Sequence, residues 1–341
     1  MTDLGKKDIS QSSFKVTDLE ESLFALGDFF VERNAMPNLK LLRAGDLIDA
    51  RQLQKIKKAK HSQFKYIPLI HREYVEEGIT LWKNLESAET EIDKKKSRVE
   101  LLKWFSKVFW HGKEKASLLD LIHVHEKVFW RFEKSFVENF WNCSTMLFKR
   151  SVLLSSLVTP LALASGFTDF KFLSDVCHTT FLIDCSFDQG NFSYLISQAC
   201  ERERQQAASE KIDLVDAEKS IYLSHPQLSF EKASIQCAKY LNDKTVLGLI
   251  LNHHEKTIGT GWPKKISETE VSDLENILIS LNQILSYEER EYSETDGVGF
   301  LKDLTSNESN VELSSLPIRR LQGLLQNVFD VEDFSPMAKG A

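Results

Sequence analysis

The period of the apolar positions changes once along the chain. Up to about residue 70 they come in short runs that stop at turn residues. SLFALGDFFVE and NLKLLRAGDLI read as strands or short elements, and FKYIPLI (64–70) reads as a strand. Ala44-Gly45-Asp46 reads as a turn into a short helix from Ile48 to Lys58. From about Glu73 the spacing becomes three and four, as in Leu101, Leu102, Phe105, Val108 and Phe109, then Leu118, Leu119, Leu121 and Ile122. Helical spacing continues over 142–285, with Pro226 and Gly259–Pro263 as the main breaks. The pattern predicts a mainly α protein: an all-helical bundle preceded by a small α/β N-terminal domain. The boundaries expected are a disordered tail over 1–12, the α/β domain over 13–80 and a helical connector over 81–141. A helical domain over 142–303 and a C-terminal loop and helix over 304–341, with an amphipathic stretch from Pro317 to Phe329, complete the expectation.

Composition narrows the classes. With 42% apolar residues among 341, the chain can bury a core without disulfides. A net charge of −7 argues against a partner that is a nucleic acid polymer, because a backbone binder carries a basic face. Cys143, Cys177, Cys185, Cys200 and Cys237 are scattered and odd in number, which reads as buried reduced thiols in a cytoplasmic protein. MTDLGKKDISQSS has no apolar core of a signal peptide. The most apolar stretch, Val152 to Phe167, is interrupted by Ser, Thr and Pro160, so no membrane insertion is expected. The aromatics Phe129, Trp130, Phe132, Phe136, Phe140 and Trp141 read as core or as the seam of a homodimer.

Candidate chemistry concentrates in LILNHHEKTIGTGWP (249–263). His253 and His254 point about 100° apart on a helix, so both reach one site only near the helix end. A structural pair satisfied by hydrogen bonds is the competing reading. His123 and His125, two apart on a helix, do not face each other and are discounted as ligands. His178 reads as a core or rim histidine.

The string His253, His254, Glu255, Gly259, Gly261, Trp262, Pro263 resembles the HHExxDGxGYP signature of the HD-GYP family, the cyclic di-GMP phosphodiesterases of the HD superfamily. Ile258 stands where that family has Asp, and Trp262 where it has Tyr. Three further segments fall in the family's order. RSVLLSSLVTPLALASGF (150–167) is similar to its first metal helix, with Arg150 in place of His; TTFLIDCSF (179–187) is similar to its HD segment, with Asp184 kept, Ile183 for His and Phe187 for Lys. IYLSHPQLSFEKA (221–233) is similar to its HP segment, with His225 kept. ILISLNQILSYEEREY (277–292) is similar to its late helix, with Asn282 for Asp. A glutamate that supports a third metal in some members would fall near Met146.

The resemblance implies an HD-type bundle in which Asp184, His225, His253 and His254 remain able to hold one Fe, Mn or Zn ion, or are relics holding none. It also implies that a second ion has lost its ligands, because Arg150, Ile183 and Asn282 ligate poorly or not at all. Arg150 would then balance Asp184 in place of that ion. Lys256, Gly261, Trp262 and Arg290 are the positions implied for ligand binding. Three functions follow as expectations: a degenerate signalling module, weak or inactive, that binds cyclic di-GMP or a protein partner; an active phosphodiesterase with an atypical metal centre; or a ligand-free interaction scaffold.

Overall fold

A computed structural model describes residues 22–32, 39–58, 63–109, 116–188, 197–199, 216–237, 239–255, 259, 261–266 and 270–285. The chain divides between Leu69 and Ile70 into two compact units. The boundary expected at residue 80 falls inside a helix, because the apolar stripe of that helix already begins at Tyr74 and Val75. The tail over 1–12 and the C-terminal segment 304–341 lie outside the described residues.

The first unit is an antiparallel three-stranded sheet of order β2-β1-β3, with β1 at Gly27–Glu32, β2 at Leu39–Leu42 and β3 at Gln63–Pro68. Helix α1, Ala50–Lys58, crosses between β2 and β3. Its core is Ala25, Phe29, Leu42, Ile48 and Ile56, with Leu53 and Tyr66 packed against them. The Ala44-Gly45 turn is tied to β1 by a hydrogen bond from the Ala44 amide to Asp28. Gly27 is required where it stands: a Cβ there would lie 2.2 Å from the Ile67 carbonyl of β3.

The second unit is helical. Its elements are α2 (Arg72–Glu86), α3 (Glu91–Phe109), α4 (Leu118–Phe129), α5 (Lys134–Cys143), α6 (Thr145–Ala164), α7 (Phe170–Phe181), α8 (Asp216–Cys237), α9 (Gly248–Leu251) and α10 (Asp273–Ile284). The boundary expected at 141/142 falls inside α5. Helix α6 is the axis, packed by α3, α4, α5, α7 and α10. It is buried from Leu147 to Ala164 on every side, as a helix apolar all round must be. Its length and composition would serve a membrane span, yet its surface is covered by its neighbours. Arg98 of α3 donates to the Leu163 and Ala164 carbonyls, satisfying acceptors the end of α6 leaves over.

The aromatic run forms core. Phe140 and Phe148 stand edge-on at 5.6 Å, and Phe181 lies 4.6 Å from Trp130 and 5.6 Å from Phe148. Trp104 stacks on Tyr74 at 4.4 Å and closes over Gly78, where a Cβ would lie 2.2 Å from its ring. Burial pushes the Cys177 thiol up to about 12, making it an inert core group. Cys143, expected buried, is exposed at the end of α5.

Candidate metal centre

Four elements bring the candidate ligands together. Helix α7 ends at Phe181, and the turn after it carries the fully buried Asp184 into a 3-10 turn at Cys185–Asp188. That turn is clamped to α8: the Ser186 amide donates to Ser229 Oγ (3.2 Å), and Ser186 Oγ donates to the His225 carbonyl (3.3 Å). Asp175 of α7 accepts from the Asn242 and Asp243 amides, fixing the loop that leads into α9. His225 comes from α8, and His253 and His254 from the turn that follows α9.

The helix that supplies His225 runs through Pro226, where the sequence suggested a break. A proline inside a helix leaves the carbonyl four residues before it without its amide donor. Here that carbonyl belongs to Tyr222, and His225 Nδ1 lies 2.6 Å from it. The local bond offsets part of the cost of the proline and lets the helix continue.

The ligand atoms of Asp184, His225, His253 and His254 all lie within 4.8 Å of one another. His225 Nε2 is 3.0 Å from His253 Nε2 and 3.1 Å from His254 Nε2. Asp184 Oδ1 is 3.6 Å from His225 Nε2 and 3.5 Å from His253 Nε2, and it has no hydrogen-bond partner among the described residues. At 2.6 Å from a carbonyl oxygen, a ring Nδ1 must carry its proton. This holds for His225 against Tyr222 and for His253 against Ile250. In their neutral forms both rings therefore present a bare Nε2 inward. Such lone pairs facing one another beside the carboxylate repel unless a shared proton or a metal cation lies among them. Three imidazoles and one carboxylate are a donor set that suits Zn, Fe or Mn, so the residues present fit an ion. Burial lowers the pKa of His225 well below its ordinary value, and the neighbouring His254 and His253 lower it further against the pull of Asp184 and the Tyr222 carbonyl. That ring is neutral near pH 7, the form a metal ligand needs.

The other side of Asp184 is closed. Arg150 Nη1 donates to Asp184 Oδ2 at 3.1 Å; Nη2 donates to the Asn282 carbonyl (2.8 Å) and Oδ1 (2.7 Å), and Nε to the Leu285 carbonyl (3.2 Å). Asn282 Nδ2 in turn donates to the His253 carbonyl at 2.8 Å, coupling the arginine side to the histidine side. Burial alone would raise the pKa of Asp184; a protonated His253, then the Arg150 guanidinium and a protonated His225, would hold it well below the usual carboxylate range, and of these only Arg150 keeps its charge when the rings are neutral.

The remaining candidates are placed unevenly. Ile183 is buried and Met146 half-buried in the first turn of α6. Phe187 has its backbone in the 3-10 turn. Gly261 is buried, and the half-buried Trp262 stacks on His254 with centroids 4.4 Å apart and planes 14° apart. Lys256 and Arg290 lie outside the described residues. His123 pairs with Glu126 at 2.9 Å, and His125 and His178 are core histidines. Sequence reasoning missed Tyr222, whose carbonyl orients His225 and whose ring lies 4.9 Å from Trp262. It also missed the work of Glu255, which accepts from the Lys264 and Ile266 amides and clamps the loop that carries Trp262. The HP dipeptide was the available signal for the first; the second had none beyond the buried acid in HHE.

No family model matches the chain, and no curated protein matches it. Among solved structures the chain is similar to Bd1817, a HDG"Y"P protein from Bdellovibrio bacteriovorus, at 15% sequence identity and a TM-score of 0.38 over 91% of this chain and 95% of that chain.

Proposed function

We propose that the chain is a degenerate HD-GYP-type signalling module that holds one Fe, Mn or Zn ion on Asp184, His225, His253 and His254 and lacks normal phosphodiesterase activity. The observation that supports this is Arg150. Two-metal hydrolysis needs a second ion next to the first to clamp the attacking and leaving oxygens. Here the second oxygen of Asp184 is taken by a guanidinium whose Nη2 and Nε donate to Asn282 and Leu285. A permanent cation cannot ligate a metal or give up a proton, so it supplies charge balance and no nucleophile. A bound ion would contribute Lewis acidity and fixed positive charge at the cleft.

On this reading the module is a receiver that binds cyclic di-GMP without turning it over and passes the state to a protein partner or a second copy in the cytoplasm. Trp262, stacked on His254 beside the cluster, is the aromatic assigned to the ligand, and Lys256 and Arg290 are the cations assigned to phosphate. The test is elemental analysis of protein purified without chelator, with His253→Ala alongside, followed by calorimetric binding and turnover of cyclic di-GMP. About one ion per chain, lost in the variant, with binding and no turnover, is the expected result. Two ions per chain with turnover would overturn it and restore the enzyme. No ion and no binding would leave a ligand-free scaffold.

A further inference from the structure

Two of the candidate ligand rings are held in the same way. His225 Nδ1 lies 2.6 Å from the carbonyl three residues before it, Tyr222, and His253 Nδ1 lies 2.6 Å from the carbonyl three residues before it, Ile250. In an uninterrupted helix each carbonyl would receive the amide four residues on. At Ile250 the helix α9 is ending, since its last residue is Leu251, so the carbonyl lies in the last turn. At Tyr222 the helix does not end: α8 runs from Asp216 to Cys237. Residue 226 there is a proline, which has no amide hydrogen to offer, so the ring need not share the carbonyl with a helix amide.

We propose that Pro226 is a positioning residue for the cluster: by removing the amide hydrogen that would take the Tyr222 carbonyl, it commits that carbonyl to His225 Nδ1 and so turns an unprotonated Nε2 toward His253, His254 and Asp184. The inference rests on the reading that the cluster holds an ion, but its first consequence, the tautomer of His225, exists without one. The proline is buried in the middle of a helix, where the ring costs a hydrogen bond and crowds the preceding turn. A residue with an amide hydrogen would restore that bond by competing for the acceptor that orients the ring. Helix stability and ring orientation therefore pull in opposite directions at this position.

The opposition makes the test decisive. In Pro226→Ala, the metal-free protein is expected to be as stable to urea as the parent or more so. The long-range nitrogen–proton NMR spectrum of His225 at pH 8 is expected to move from the Nδ1–H form to a mixture. Zinc affinity, read by competition with a chromophoric chelator, is expected to fall about 10- to 100-fold, the usual effect of losing a partner behind a ligand. An ester at the same bond, made by placing lactic acid instead of alanine at 226, removes the hydrogen without the ring and is expected to restore both tautomer and affinity. A lower urea midpoint with unchanged tautomer and affinity would make the proline merely structural and overturn the proposal. So would an ester variant that stays as weak as the alanine variant. A parent protein that binds no zinc would sink the metal reading alone, and the tautomer spectra would still decide the role of Pro226.

Discussion

Histidines are buried in two regions of the helical unit, and the difference between them separates a core group from a candidate ligand. In the aromatic core, His125 Nδ1 lies 2.9 Å from the Leu121 carbonyl and His178 Nδ1 2.8 Å from the Ser174 carbonyl, each four residues back. Their rings then stand among Trp82, Phe129 and Phe132. In the cluster the carbonyl bonded by His225 and by His253 is three residues back, at a proline or a helix end, and the Nε2 atoms of His253 and His254 lie 3.0 and 3.1 Å from His225 Nε2. Burial and a bonded Nδ1 are common to both regions. The convergence of the second nitrogens on a carboxylate oxygen is found in one of the two, and convergence is what makes that one a candidate ion site.

The largest expected effect lies on the arginine side of the cluster. Arg150→Ala would leave Asp184 buried with one cation fewer and would free the Asn282 side chain that reaches His253. Removing one partner of a buried pair costs about 3–5 kcal/mol, so the urea midpoint should fall by that equivalent. A loss under about 1 kcal/mol would mean that the pair is not closed in solution, and the comparison between the two sides of Asp184 would fail.

Acid should act on the aromatic core next. Burial lowers the pKa of His125 and of His178 to about 4, against an ordinary value near 6.5. Between pH 6.5 and 4 the unfolded chain takes up these protons and the folded chain does not, so stability falls as pH falls. Each group accounts for up to about 3 kcal/mol over that window. His125→Phe should flatten its share of the slope, read as urea midpoints from pH 4 to 7, while metal content stays as in the parent. His253→Ala should do the reverse for metal. The parent is expected to gain about 2.7 kcal/mol at zinc a hundredfold above its dissociation constant, and the variant to gain none. Equal gains in both would remove the distinction between the two sets of histidines.

The sequence carried the element types and the four residues of the buried cluster further than it carried their surroundings. The likeness of HHE and GxGWP to the HD-GYP signature implied His253 and His254, and the similar segments in the family's order implied Asp184 and His225. The three strands and α1 were visible because turn residues bracket short apolar runs. What stayed hidden was long-range. Nothing local tells that Arg150 and Asn282, 132 positions apart, share a hydrogen bond, or that Leu285 offers its carbonyl to the same guanidinium. Pro226 looked like a break because a missing amide is visible in sequence and a ring nitrogen taking its place is not. The boundary expected at residue 80 falls inside α2, whose helical spacing the sequence already shows from about Glu73; within that helix Gly78 admits the Trp104 ring.

The smallest effect concerns the acid of HHE. Glu255 is buried but is no part of the converging set; its two oxygens accept the Lys264 and Ile266 amides. Glu255→Gln keeps the shape and leaves one acceptor for two amides. A hydrogen bond to a charged acceptor contributes somewhat more than a neutral one, so the loss should be about 1 kcal/mol. It should be local: exchange of the Lys264 and Ile266 amides would quicken about fivefold, with metal content unchanged. Loss of the ion in this variant would show instead that the loop under Trp262, stacked on His254, holds the histidine cluster in place, and the boundary between clamp and ligand would move inward by one residue.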